Sequence, residues 1–236
     1  MLGLGNSVLS DFKTVFLDDY SLSFNGVDEY VDCDPIAAVV DAELGSISVW
    51  IKVDTVASSR IVWSCRVDSN NFIQLYYHAA SNELRLSYKG GGSTVQAASD
   101  TAIENDGNWH HAVATWSSSA NQAIIYMDGT KKETKTGLPT ISGDFATSDI
   151  GQNTNGGAYW DGKINDFSLY NRVLTDANVT DIYNSGKPKD EVGNYGENLV
   201  IYYKFETGSG VYAIDSSVNK LNGTLQNTPT WDTDVP

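Results

Sequence analysis

The stretch Ser46–Val53, SISVWIKV, puts an aliphatic side chain at every second position. Ile47, Val49, Ile51 and Val53 fall on one face, and Ser46, Ser48, Trp50 and Lys52 on the other. Period two means a β-strand with one buried face. The same pattern recurs along the chain. In SLSFNG, Leu22 and Phe24 oppose Ser21 and Ser23. In NFIQLYYH, Ile73, Leu75 and Tyr77 oppose Phe72, Gln74, Tyr76 and His78. In ELRLSYKG, Leu84, Leu86 and Tyr88 oppose Arg85, Ser87 and Lys89. Asp128-Gly129 separates two further β-prone runs, which is a hairpin signal.

One segment reads as a helix, TDANVTDIYNS at 175–185. Thr175 can cap it, Asp176 suits its positive end and Gly186 stops it, with Val179 and Ile182 on one face. GKPKDEVGNYGEN, which follows at 186–198, reads as a linker-like loop. The expected fold is all-β: a two-layer antiparallel β-sandwich with one short helix. The expected organisation is an N-terminal arm at 1–20, the sandwich at 21–186, and a C-terminal strand and loop extension at 187–236. Trp50, Trp109 and Trp116 are assigned to the core.

The chain has 236 residues, enough for a sizeable core without staples. Its 30 acidic residues outnumber 15 basic ones, for a net charge of −15. That excludes nucleic acid as a partner, because phosphate binding needs a basic footprint. No run is long and apolar enough to cross a membrane as a helix, so membrane insertion is not expected. Cys33 and Cys65 make no disulfide framework and read as free thiols. The first basic residue is Lys13, and glycines and Asn6 break the apolar run before it, so the start is a poor secretory signal.

Four stretches in order resemble the laminin-G-like, concanavalin-A-like jelly-roll superfamily: SLSFNGVDEYV, SISVWIKV, DGNWHHAVATW with IIYMDGT, and IGQNTNGGAYWDGKINDFSLYNRVLTDANVTDIYNSG. The tail LVIYYKFETGSG with DSSVNKLNGTL resembles a companion motif of marine phage structural proteins. The resemblance implies two curved antiparallel sheets, and recognition of glycans or proteins by rim loops or the concave face. It also implies calcium near the closing strand, the one cofactor considered. Relatives resemble GKIDE there; this chain has Asn165, whose carbonyl oxygen can still ligate calcium. Asp28 would be its companion if the first and last strands lie side by side. The alternative is a neutral hydrogen bond near a strand end. Asp166 is not expected to replace Asn165, because adjacent strand residues face opposite ways.

The candidate glycan residues are Gln74, Tyr76, His78 and Arg85 on one strand face. The loop GQNTNGGAYW adds Asn153, Asn155, Tyr159 and Trp160 at the rim. His110 and His111 face opposite ways and cannot chelate one ion from a regular strand. The chain has no run of alternating acidic residues and no Gly-x-Ser-x-Gly elbow, so no enzyme is expected. The expected role is a non-catalytic structural protein of a phage virion surface, a head decoration or fibre component present in multiple copies or as a homo-oligomer. Its partners would be other virion proteins and a host surface glycan. The runner-up is a carbohydrate-binding module of a bacterial extracellular protein, and a polysaccharide-cleaving enzyme comes third.

Overall fold

The computed structural model describes residues 16–54 and 57–236. Most of the expected N-terminal arm, residues 1–15, lies outside the described residues. The first half of the chain supplies β1 (Ser21–Asn25), β2 (Tyr30–Asp32), α1 (Asp34–Ala37), β3 (Leu44–Val53), β4 (Arg60–Asp68), β5 (Asn71–His78), β6 (Glu83–Gly90), β7 (Ser93–Ala98) and β8 (His110–Ser117). The second half supplies β9 (Gln122–Met127), β10 (Thr130–Thr136), β11 (Thr147–Ile150), β12 (Asp161–Tyr170), α2 (Asp176–Tyr183), α3 (Glu191–Tyr195), β13 (Leu199–Tyr203), β14 (Tyr212–Ala213), β15 (Gly223–Gln226) and β16 (Thr230–Asp232).

Two eight-stranded antiparallel sheets pack face to face. The first runs β10-β9-β8-β3-β12-β1-β16, with β13 also paired to β12. The second runs β14-β15-β2-β11-β4-β5-β6-β7. The alternating residues meet between them as expected: Ile47, Val49, Ile51 and Val53 from one sheet, and Ile73, Leu75, Tyr77, Leu84, Leu86 and Tyr88 from the other, share one core. Asp128 (φ 50°) and Gly129 (φ 73°) make the tight turn between β9 and β10. Both residues in the left-handed region is what a right-twisting two-residue hairpin requires.

A second, smaller cluster lies on the outer face of the first sheet. There Val179 and Ile182 of α2, with Tyr195 of α3, pack on Tyr126, Tyr170 and Tyr202. Thr175 caps α2 through a reciprocal pair of bonds with Asn178. The 186–198 segment is not a plain loop, because it contains α3. Its Glu191 is buried and accepts hydrogen bonds from Ser168 (2.7 Å), Ser48 (3.3 Å) and the Tyr170 hydroxyl. Five helical residues are too few to show a period, so nothing in the sequence marked this segment. Residues 187–236 feed both sheets: β13 joins β12, β16 joins β1, and β15 joins β2.

Of the three tryptophans assigned to the core, Trp50 and Trp116 are buried. Trp109 is only half-buried, because it precedes β8 and points its indole N–H at Asp234 (3.0 Å).

Candidate functional site

Helices cover part of the first sheet's outer face. Among the described residues the corresponding face of the second sheet carries none, since the buried residues of α1, Ile36 and Ala37, belong to the inter-sheet core. Strand register lays out what this open face presents. One row crosses it as Thr224–Asp32–Asp149–Ser64–Gln74–Ser87–Gln96, polar at every strand. The next row is Arg66–Phe72–Lys89–Thr94. On the other side, Tyr76 pairs with Arg85 and His78 with Glu83. Gln74, Tyr76, His78 and Arg85 therefore share one face, as their alternation requires.

The loop 151–160 arches onto the same face. Gly151 turns the chain at φ 87°, where a Cβ would sit 2.9 Å from the Phe24 ring. The Trp160 N–H then closes on the Gly151 carbonyl at 2.7 Å. Inside the loop, Ser64 donates to the Gln152 carbonyl (3.0 Å), and Arg66 donates to Asn153 (2.7 Å) and Thr154 (3.0 Å). Strand and loop candidates thus border one surface, because Ser64 is the cross-strand neighbour of Gln74. Asn155 is exposed, and Tyr159 is half-buried beside Tyr30, with ring centroids 6.5 Å apart.

Trp160 does not belong to this surface. It is fully buried in the core. Its position explains this: Trp160, Gly162 and Ile164 share one strand parity, and Ile164 faces inward. Tyr76 is only 7% exposed, its hydroxyl accepting from Gln96 (3.0 Å), so little of its ring is open to stacking. Phe72, half-buried between Arg66 and Lys89, is an aromatic that the sequence reading did not single out.

The face is electrically divided. Asp32, Asp34 and Asp149 converge so that one oxygen from each lies within 4.8 Å of the others. Burial pushes Asp149 up to about 7, with Asp34 and Asp32 adding repulsion and a hydrogen bond from Gln152 pulling the other way. These three are the described acidic residues placed to hold a cation. No local pattern marks the group, because it joins positions more than a hundred residues apart.

The pair expected to hold calcium is not brought together. β1 and β12 are neighbours, but Asn25 pairs with Asp161 and Leu22 with Ile164. Asp28, beyond Asn25, therefore sits near the Asp161 end. Asn165 lies four residues along the strand from Asp161, about 13 Å away. Both amide atoms of Asn165 are already used: Nδ2 donates to Asp18 (2.7 Å), and Oδ1 accepts from the Asp166 N–H (2.9 Å). That is the neutral hydrogen-bonded alternative. Asn165 and Asp166 do not face opposite ways either. A bulge between Asn165 and Ser168, with Asp166 at φ 45°, turns Asp166 to the outer face as well. There its Oδ1 accepts from the Tyr202 hydroxyl at 2.5 Å.

His110 and His111 diverge as expected. His110 bridges Asp106 and Asp128, whose carboxylates outweigh its partial burial and raise its affinity for a proton. His111 is buried against Ser48 (2.9 Å), and desolvation lowers it to about 4.

The model of Laminin_G_3, the concanavalin A-like lectin/glucanases superfamily, matches residues 25–180. A putative carbohydrate binding protein from Bacteroides ovatus superposes with a TM-score of 0.67 at 17% identity, over 92% of this chain and 60% of that one. Domain 4 of AbnA, a GH43 extracellular arabinanase from Geobacillus stearothermophilus solved with arabinotriose, superposes with a TM-score of 0.59 at 20% identity, over 69% of this chain and 76% of that one. The pentraxin-related protein PTX3 of Mus musculus is 27% identical over 146 residues, which span 57% of this chain and 37% of that protein.

Proposed function

As this chain belongs to the concanavalin A-like lectin/glucanases superfamily, we propose that it is a non-catalytic carbohydrate-recognition domain whose binding surface is the outer face of the second sheet. The observation that carries this reading is the meeting of the polar row through Ser64, Gln74, Ser87 and Gln96 with the loop 151–160. The Gln74 and Gln96 carboxamides can take sugar hydroxyls, Ser64 and Ser87 being buried alongside them, while Phe72 and Tyr159 offer rings to a pyranose face. The Gln74 carboxamide makes no hydrogen bond among the described residues, so it is ready for a ligand. Likeness to a protein named as a putative carbohydrate binding protein, and to an arabinanase domain solved with arabinotriose, supports the same reading. Asp149 is the obvious acid for a cleavage reaction, but it is 5% exposed and already accepts from Gln152 (3.1 Å). A general acid must reach the leaving oxygen, so the geometry favours binding over hydrolysis.

Screening on an array of bacterial surface glycans tests this. Gln74→Ala and Tyr159→Ala are each expected to weaken the best ligand about tenfold or more with the melting temperature unchanged. Absence of binding across the array would leave the face merely solvated.

We place this recognition on the surface of a phage virion. Cys33 and Cys65 are both buried and unpaired, as suits folding in a reducing compartment. The tail resembling marine phage proteins supports the same setting. The protein is expected among the components of purified virions by mass spectrometry, and its absence there would remove the assignment.

A further inference from the structure

In a chain with twice as many acidic as basic residues, a cation that hydrogen-bonds to no carboxylate is informative. The row Arg66–Phe72–Lys89 holds two of them. Among the described residues no carboxylate is in ion-pair contact with either, although the exposed Asp68, two residues along β4, acts on Arg66 through space. Arg66 is 8% exposed, yet its guanidinium donates only to the neutral oxygens of Asn153 and Thr154. Its Nη1 makes no hydrogen bond among the described residues. Lys89 donates to the Ser69 carbonyl at 2.9 Å. Both cations lie over Phe72, at 5.0 and 5.5 Å from its ring centroid. Arg85 differs, because Glu83 neutralises it at 2.7 Å. The acidic group on the same sheet is kept apart by the loop, where Gln152 holds Asp149 while Asn153 and Thr154 hold Arg66. A nearly buried guanidinium that hydrogen-bonds only to neutral oxygens, with the exposed Asp68 acting on it only through space, leaves donors free for a ligand.

We infer that Arg66, Phe72 and Lys89 form a subsite for an acidic sugar, a hexuronate unit of a polysaccharide. Its planar carboxylate meets the open edge of the Arg66 fork and the Lys89 ammonium, with Phe72 as the apolar floor between them. A guanidinium matches a carboxylate in two parallel hydrogen bonds, which an ammonium cannot do. The neutral units beyond it lie along Gln74 and Gln96. This assignment rests on the glycan reading above and names its ligand class.

Titration calorimetry with tetragalacturonate and with its carboxyl-reduced tetramer separates the two ideas. Wild-type protein is expected to bind the acidic tetramer about tenfold or more tightly than the reduced one, a margin that shrinks as salt rises. Lys89→Gln, with its melting temperature unchanged, is expected to lose most of that margin. Arg66→Lys is expected to lose part of it, because charge remains but the fork does not. Equal binding of the two tetramers by the wild type would overturn the hexuronate subsite while leaving glycan recognition standing. Binding of neither would also overturn the subsite, and the array result then judges the wider reading on its own.

Discussion

Trp160→Ala is expected to lower folding stability by about 3–5 kcal/mol, the usual cost of truncating a large buried ring. The side chain is fully buried in the core shared by the two sheets. Its indole N–H has no hydrogen-bond partner among the described residues, so the loss is one of packing and cavity formation. The substitution also strikes where the loop 151–160 rejoins β12, next to the hydrogen bond from Trp160 to Gly151. Chemical denaturation of wild type and variant measures the effect directly. Gln74→Ala, on the open face, is the control, expected to stay within about 0.5 kcal/mol of wild type. A loss below about 1 kcal/mol for Trp160→Ala would mean that the ring can leave the core at little cost, contrary to its packing here.

Trp160 also shows where sequence reasoning succeeds and fails. Glycines and asparagines around it mark a loop, and an aromatic at a loop end suggests a rim contact. Counting back by twos from Ile164 would have placed it inside. The strands themselves were legible because each carries its own evidence: alternation in Ser46–Val53, Asn71–His78 and Glu83–Gly90, and Asp-Gly at the β9–β10 turn. The shared face of Gln74, Tyr76, His78 and Arg85 was legible for the same local reason. What depended on register was not. Asp28 and Asn165 occupy neighbouring hairpin and strand, yet the pairing Asn25 to Asp161 sets them at different ends. The bulge at Asp166 reverses a facing rule that holds only for regular strands. Nor could local pattern show the loop closing over Ser64, or Asp149 reaching Asp32 and Asp34, since these join distant parts of the chain.

The fold is expected to lose stability as pH rises from about 4.5 to about 7, and Glu191→Gln is expected to remove a large part of that loss. Glu191 is fully enclosed beneath α3 and faces Ser48 of β3 and Ser168 and Tyr170 of β12, with no cation among its hydrogen-bond partners. Burial pushes its carboxyl up to about 7 despite those hydroxyl donors, and Asp190 adds repulsion. Between the ordinary value near 4.5 and the folded value, the folded chain holds a proton that the unfolded chain has released. Stability then falls with rising pH across that window. Its contribution is complete below about 4.5 and gone above about 7, and is worth about 3 kcal/mol. Neighbouring acids act in the same direction: burial raises Asp166 strongly, with Asp18, Glu191 and Glu206 adding repulsion, and lifts Asp18 to about 6. Asp149, on the other sheet, does so independently. Two groups have the opposite sign: Asp234, held near 2 against its own burial by Lys163 and Lys52, acts only below about pH 4, whereas His111, lowered to about 4 by desolvation, adds stability as pH rises between about 4 and 6.5 and offsets part of the loss. Since several groups shape the wild-type curve, the decisive quantity is the difference between wild type and Glu191→Gln at pH 5 and at pH 8. Glutamine keeps a carbonyl for the surrounding hydroxyls but cannot ionise. The variant is therefore expected to gain about 2.5 kcal/mol on wild type between those two pH values. Parallel pH profiles would show that Glu191 titrates as an ordinary carboxylate, and that α3 does not bury it in solution as it does here.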